Sequence, residues 1–189
     1  VLNGGTLRYT GGNTTSNRNF TIGTNGGPLY ASGPGTPVLT GTEIFLSGTN
    51  SARTFTLTGN NTGANTLAGP LTDNGSGATT LVKGGDGTWV LTGANSYTGG
   101  TQIDGGTLLV NGLGSTGGGA VVVGANGAIG GDGTIGGDLS FASGADFVWN
   151  GIDTLVVNGA SVTFSSFSGA NLIVSDWSLV ANGEYTLIG

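Results

Sequence analysis

The sequence predicts an all-β chain, a parallel β-helix (β-solenoid) of short strands and Gly/Asn corners. Three observations carry that prediction: apolar residues two apart, regular glycine-rich punctuation between them, and internal similarity. Large apolar side chains at i and i+2, flanked by Thr or Ser, describe a strand with one buried face. Such runs occur at residues 6–9, 43–46, 54–58, 88–91 and 107–110, and later at 120–123, 138–141, 146–149, 153–157, 161–164, 171–174 and 184–188. No window keeps apolar residues at helical spacing over three turns, because glycine interrupts every candidate.

The punctuation allows two architectures. Asn-Gly pairs start at Asn3, Asn25, Asn74, Asn111, Asn126, Asn150, Asn158 and Asn182. Both residues tolerate positive φ, so each pair bends the chain at little cost. Asn-Gly also closes two-residue hairpins, which would give an antiparallel sandwich or barrel. The strands are short, about three to five residues, and the chain resembles itself. Residues 3–11 (NGGTLRYTG) align with 104–112 (DGGTLLVNG), and 54–61 (TFTLTGNN) with 88–95 (TWVLTGAN). Stacked coils, each completing the core of its neighbour, explain such repetition better than a barrel does. The expected organisation is one continuous solenoid over 1–189. Its repeat motif is centred on 81–112, a partial repeat occupies 1–12, and C-terminal coils fill 120–189.

Composition narrows the chemistry. The 189 residues include 42 Gly, no Cys, Met or His, and only 7% charged side chains. Common Cys/His metal sites, disulfides and His-dependent nucleophilic catalysis are therefore outside its repertoire. A net charge of −6 with four basic residues argues against nucleic-acid and anionic-membrane partners. No apolar run approaches the length that crosses a bilayer. Hydrophobic residues at 36%, in regular clusters, argue against disorder.

Residues 81–108 read LVKGGDGTWVLTGANSYTGGTQIDGGTL. The pattern is carried by Leu81, Lys83, Gly85, Gly87, Thr88, Trp89, Leu91, Gly93, Asn95, Tyr97, Gly99, Thr101, Ile103, Gly106 and Leu108. This segment resembles the autotransporter-associated β-strand repeat, also called the passenger-associated transport repeat, with Trp89 at a position where Leu is more usual. Residues 3–9 look like the tail of another copy. Residues 154–188 resemble the stretch C-terminal to such repeats in large secreted bacterial proteins. The resemblance implies a right-handed parallel β-helix in an extracellular or surface-displayed bacterial protein. It also implies a role in export and folding of a long passenger rather than catalysis. The absence of a signal peptide and translocator barrel from these residues leads us to expect a piece of something larger or a processed product.

Alternative sites can be named. Acid–base chemistry could use Glu43, Asp73, Asp86, Asp104, Asp132, Asp138, Asp146, Asp153, Asp176 or Glu184, since a carboxylate pair on a solenoid face would suit a polysaccharide-active enzyme. The simpler expectation is that these acids sit at corners and accept backbone N–H groups. The basic residues Arg8, Arg18, Arg53 and Lys83 are scattered. Gly130-Gly131-Asp132-Gly133 is one imperfect turn of a calcium-binding roll, lacking its second Asp. Thr54, Thr56 and Thr58 share one strand face, as in ice-binding solenoids, but outward Thr is also simply a good strand former. Tyr9, Tyr30, Tyr97, Trp89, Trp149, Trp177 and Tyr185 could stack sugars, yet most fall in the apolar phase expected for core. We therefore expect no catalytic, metal or cofactor site. The expected role is a structural stalk, spacer or fibre element that supports export and adhesion. Its partners would be other segments of a parent protein, end-to-end copies of itself, glycans or cell surfaces. A head-to-tail filament subunit and a polysaccharide-active domain remain the alternatives.

Overall fold

The computed structural model describes residues 1–149, 154–165 and, for backbone only, 172–174. The expected strands over 153 and 184–188, with Asp153, Asp176, Glu184, Trp177 and Tyr185, lie outside the described residues. Among the described residues every regular element is a strand. The first coil holds β1 (Leu7–Tyr9), β2 (Thr14–Ser16) and β3 (Phe20–Ile22). The second holds β4 (Gly27–Ala31), β5 (Pro37–Leu39) and β6 (Ile44–Leu46). Then come β7 (Arg53–Gly59) with β8 (Asn65–Leu67), β9 (Thr79–Lys83) with β10 (Thr88–Leu91), and β11 (Thr101–Ile103) with β12 (Gly106–Val110). Further coils hold β13 (Val121–Val123), β14 (Gly127–Gly131) and β15 (Thr134–Ile135), then β16 (Leu139–Phe141), β17 (Asp146–Trp149) and β18 (Val156–Val157). Strands β19 (Val162–Phe164) and β20 (Leu172–Val174) complete the order.

Each strand pairs with its counterpart one coil away, always in parallel. One eight-stranded sheet runs β1-β4-β7-β9-β11-β13-β16-β19, and a second runs β2-β5-β8-β10-β12-β14-β17-β20. A discontinuous third side contains the pairs β3-β6 and β15-β18. This is a β-solenoid. Among the described residues the Asn-Gly pairs serve it as corners. The exception in kind is Asn74-Gly75, which closes a tight antiparallel bridge to Gly77 at the tip of one corner.

Parallel pairing in register places like positions above one another, so the core consists of columns. In the first sheet one inward column runs Leu7, Leu29, Leu57, Lys83, Ile103, Val123, Phe141 and Phe164. A second runs Phe55, Leu81, Thr101, Val121, Leu139 and Val162. The second sheet faces them with Asn65, Trp89, Leu108, Ile129 and Phe147. Most of these side chains are sealed from solvent between neighbouring coils. Near the C-terminal end aromatic rings take over: Phe141 and Phe164 stack with centroids 4.7 Å apart, and Phe147 meets Phe141 edge-on.

The internal similarity has a different meaning from the one the alignment implies. Residues 3–11 contain β1 of the first sheet, whereas 104–112 contain β12 of the second. Likewise 54–61 hold β7 of the first sheet and 88–95 hold β10 of the second. The recurring element is a strand-plus-corner unit, not a whole coil. A buried strand followed by a Gly turn makes the same local demands on either side of the stack.

Glycine is required where a corner of one coil rests on backbone of the next. At Gly59 φ is +120° and a Cβ would lie 1.9 Å from the Ala31 carbonyl oxygen. At Gly112 φ is +62° but no atom lies within 4 Å of the same position. The two sites separate steric collision from conformational strain. Gly112→Ala is expected to lower unfolding free energy by about 1 kcal/mol, the cost of a left-handed non-glycine residue. Gly59→Ala adds a backbone collision and is expected to cost about 3 kcal/mol or more. Urea unfolding of both variants checks the ranking, and equal losses would contradict the inter-coil contact at Gly59.

Candidate functional site

Residues 81–108 wrap from the first sheet through the second and into the next coil, and their pattern positions turn inward or press against a neighbour. Leu81, Trp89, Leu91, Tyr97, Ile103 and Leu108 are fully or almost fully buried. Trp89 fills the second-sheet column, and its indole N–H donates to the Thr58 carbonyl at 3.0 Å, one coil back. The larger ring thus keeps the inward role of the usual Leu and adds an inter-coil bond. Thr88 lies beside it, its carbonyl accepting from the Asn65 amide at 2.7 Å. The glycines are close-approach points: added Cβ atoms at Gly87, Gly93 and Gly99 would fall 2.5, 2.6 and 2.5 Å from carbonyl oxygens of the preceding coil. Gly85 and Gly106 both adopt positive φ where the chain rounds the corner between the sheets.

Polar members of the pattern join coils. Asn95 accepts the Leu71 N–H at 2.6 Å on one side and donates to the Ser115 carbonyl at 2.6 Å on the other, spanning three consecutive coils. The Tyr97 hydroxyl, fully buried, lies 2.6 Å from Thr101 Oγ1. Burial pushes the Tyr97 phenol up to about 12, against smaller opposing effects of its hydrogen bonds to Thr101 and Gly117.

Lys83 is the most unusual of them, a fully buried lysine in an otherwise apolar column. Its ammonium donates to the carbonyls of Gly84 at 2.8 Å, Gly85 at 3.0 Å and Gly105 at 2.8 Å. Burial lowers its pKa to about 8, partly offset by the Asp86 carboxylate, so it stays charged at neutral pH.

The other sequence candidates find separate places. Asp73 accepts the N–H of Thr79 at 2.7 Å, and the N–H and hydroxyl of Thr98 at 3.1 and 2.6 Å. Burial works to raise its pKa, but these hydrogen bonds outweigh it and hold the carboxyl below its ordinary value. Asp132 accepts the Gly112 N–H and Asp138 the Ser161 N–H, each from an adjacent coil. Asp104 takes the Gln102 amide. Asp86 and Glu43 are exposed, and Asp146 is half-buried at the start of β17. Three of the acids thus meet the corner-acceptor expectation. Among the described residues no three acids gather where they could share a metal ion.

Thr54, Thr56 and Thr58 do share the outer face of β7, but of their cross-strand neighbours only Thr80, opposite Thr54, is a threonine; Thr56 lies between Pro28 and Val82, and Thr58 beside Tyr30. Tyr30 lies outside the core, with the Arg8 guanidinium 4.4 Å above its ring. Tyr9 is half-buried and donates its hydroxyl to the Gly12 carbonyl, and Trp149 is half-buried. Arg18 is exposed.

The buried polar residues outside the sequence pattern include Arg53 and Asn65. Arg53 is buried, donating to Ile22 O at 2.8 Å and to Ser51 O at 3.1 Å, and burial lowers its pKa. Asn65 is fully buried and joins the backbone of Asn61 to that of Thr88. Strand phase could have found Arg53, because it shares the face of Phe55 and Leu57.

Lys83 sets a pH dependence. Its folded pKa of about 8 lies below the ordinary 10.5, so between these values the unfolded chain binds more protons and stability rises with pH. Below about pH 8 both states are protonated and the full cost of burying the charge remains. Lys83→Met removes this titration but leaves Tyr97 in place. Wild type should therefore gain about 3 kcal/mol relative to Lys83→Met between pH 7 and 10.5, as measured by urea unfolding. A pH-independent difference would show that Lys83 titrates normally.

Residues 81–110 match the family model of the passenger-associated-transport-repeat. The chain is also 49% identical over 100 residues to the Adhesin BmaC autotransporter of Brucella suis biovar 1 (strain 1330). That match covers 52% of this chain and 3% of the relative, so the chain spans a small fraction of that protein's length. No solved structure matches. The autotransporter-type repeat read from the sequence is thus found in the coils that hold Lys83, Trp89, Asn95 and Tyr97: the chain carries a passenger-associated transport repeat on a β-solenoid.

Proposed function

We propose that this chain is a non-enzymatic structural segment of a surface-displayed autotransporter passenger, a stalk or spacer that supports export and holds adhesive regions away from the cell. One observation carries the reading: the distinctive repeat positions act between coils, as core, close-approach glycine or inter-coil hydrogen bond. Residues committed in this way are unsuited to engaging a substrate. Asp73, Asp132 and Asp138 likewise use their carboxylates to hold neighbouring coils. The outer column of the first sheet runs Thr56, Val82, Gln102, Val122, Ser140 and Thr163, a neutral face suited to display rather than to acid–base work.

Stacking also supports an export role. A coil finds its hydrogen-bonding partners and half its core on the coil beside it, so a solenoid can grow in the order in which it emerges. The first-sheet column ends on Leu7, 48% exposed, beside Phe20 and Leu2. In our reading the adjoining coil of a longer passenger covers this face. The same exposed column motivates the filament reading, in which another copy covers it.

Two experiments test these readings. In a passenger displayed on bacteria, Gly87→Val with Gly99→Val should lower the amount reaching the surface at least about tenfold, while adhesion per displayed molecule stays constant. Normal display with lost adhesion would instead make this segment the adhesive surface. Sedimentation of the isolated chain should show no concentration-dependent growth beyond small oligomers. Open-ended growth abolished by Leu7→Asp would favour the filament.

A further inference from the structure

Lys83 interrupts an apolar column at one level, between Leu57 and Ile103. An unpaired ammonium there would be very costly, and its actual surroundings are three carbonyl oxygens. Those of Gly84 and Gly85 come from the corner after β9; that of Gly105 comes from the corner one coil further on. The corners bring these oxygens together through positive φ at Gly85 and Gly106. Three backbone oxygens converging at 2.8–3.0 Å on one tetrahedral nitrogen make a ready acceptor set for a small monovalent cation carrying N–H donors. Asp86 adds negative potential from the same corner.

We propose that the carbonyls of Gly84, Gly85 and Gly105 form a cation site between two coils, that its resident cation is the Lys83 ammonium, and that the site binds a primary alkylammonium ion from solution when the side chain is removed. Because the cation is tethered, the two coils are joined without drawing an ion from the medium. The geometry favours three diverging N–H donors, which ammonium provides. A planar guanidinium cannot match it, and a quaternary ammonium has no N–H to donate.

Lys83→Ala deletes three carbons and the nitrogen, the atoms of n-propylammonium. Thermal unfolding of Lys83→Ala is therefore measured with n-propylammonium chloride, tetramethylammonium chloride or no addition, beside wild type and Lys83→Met. The expected result is a Tm rise on the order of 4 °C in Lys83→Ala with n-propylammonium alone. Wild type, whose site is filled, and Lys83→Met, whose side chain fills the space the lysine stem occupied, should not respond. No rise, or the same rise in all three proteins or with tetramethylammonium, would overturn the proposal. If Lys83→Ala does not fold, the wild type decides. Lys83 is the chain's one lysine, so its ζ-ammonium gives a single nitrogen resonance. Slow hydrogen exchange near neutral pH, with couplings across hydrogen bonds to the carbonyl carbons of Gly84, Gly85 and Gly105, is expected. Exchange as fast as in free lysine would overturn the proposal.

Discussion

Parallel, in-register pairing between successive coils is the constraint on which the rest of this structure depends. It makes each inward residue the floor for one neighbour and the roof for another. Leu57 is buried because Leu29 and Lys83 lie against it, and Ile103 because Lys83 and Val123 do. A single coil could not bury any of them, since it has no second layer of its own. Stability is thus a property of neighbours. The core can be thin, and a few large side chains such as Trp89, Tyr97 and Phe55 suffice because each is enclosed by adjoining coils.

Register in such a stack cannot come from the strands alone. Two flat runs of Thr, Val and Leu would tolerate a slip of two residues with their buried faces unchanged. The corners supply the missing specificity. Asn3, Asn13, Asn19 and Asn50 each accept an N–H of the next coil through their side-chain oxygen. Asp73 and Asp138 do the same with a carboxylate. Each contact is directional and short, so it fixes one corner over another whatever the length of chain between. This explains how coils of unequal length can stack, with Leu29 paired to Leu57 but Val123 paired to Phe141. It also explains a composition rich in Asn and poor in charge. Amide side chains can both donate and accept at a corner, without the desolvation cost of an ion.

Buried polar groups obey the same logic, within the repeat and before it. Lys83, Asn95, Asn65 and Arg53 would each destabilise a core in which they lacked partners. Each is instead aimed at backbone, and for all four that backbone includes another coil. Each thus has at least one partner that exists only when another coil is in place. Polar residues at these positions therefore penalise a wrong register in a way that leucine would not, while the surrounding aliphatic columns provide most of the burial.

The sequence by itself determined the element type, the solenoid architecture and the presence of the transport repeat. The period-two alternation shows which residues face inward, as at Phe55, Leu57, Trp89 and Leu91, and Gly/Asn clusters show where the chain turns. These are local properties, so local reading recovers them. Which strand lies on which was decided by the tertiary structure. The similar segments 54–61 and 88–95 sit in different sheets, because side-chain alternation is blind to the neighbour it will meet. The interior placement of Arg53 and Asn65, the three-coil reach of Asn95, and the convergence of Gly84, Gly85 and Gly105 on Lys83 were hidden for the same reason. Each depends on backbone atoms about twenty or more residues away along the chain. Their positions are set only once coil lengths and corner hydrogen bonds have fixed the stack.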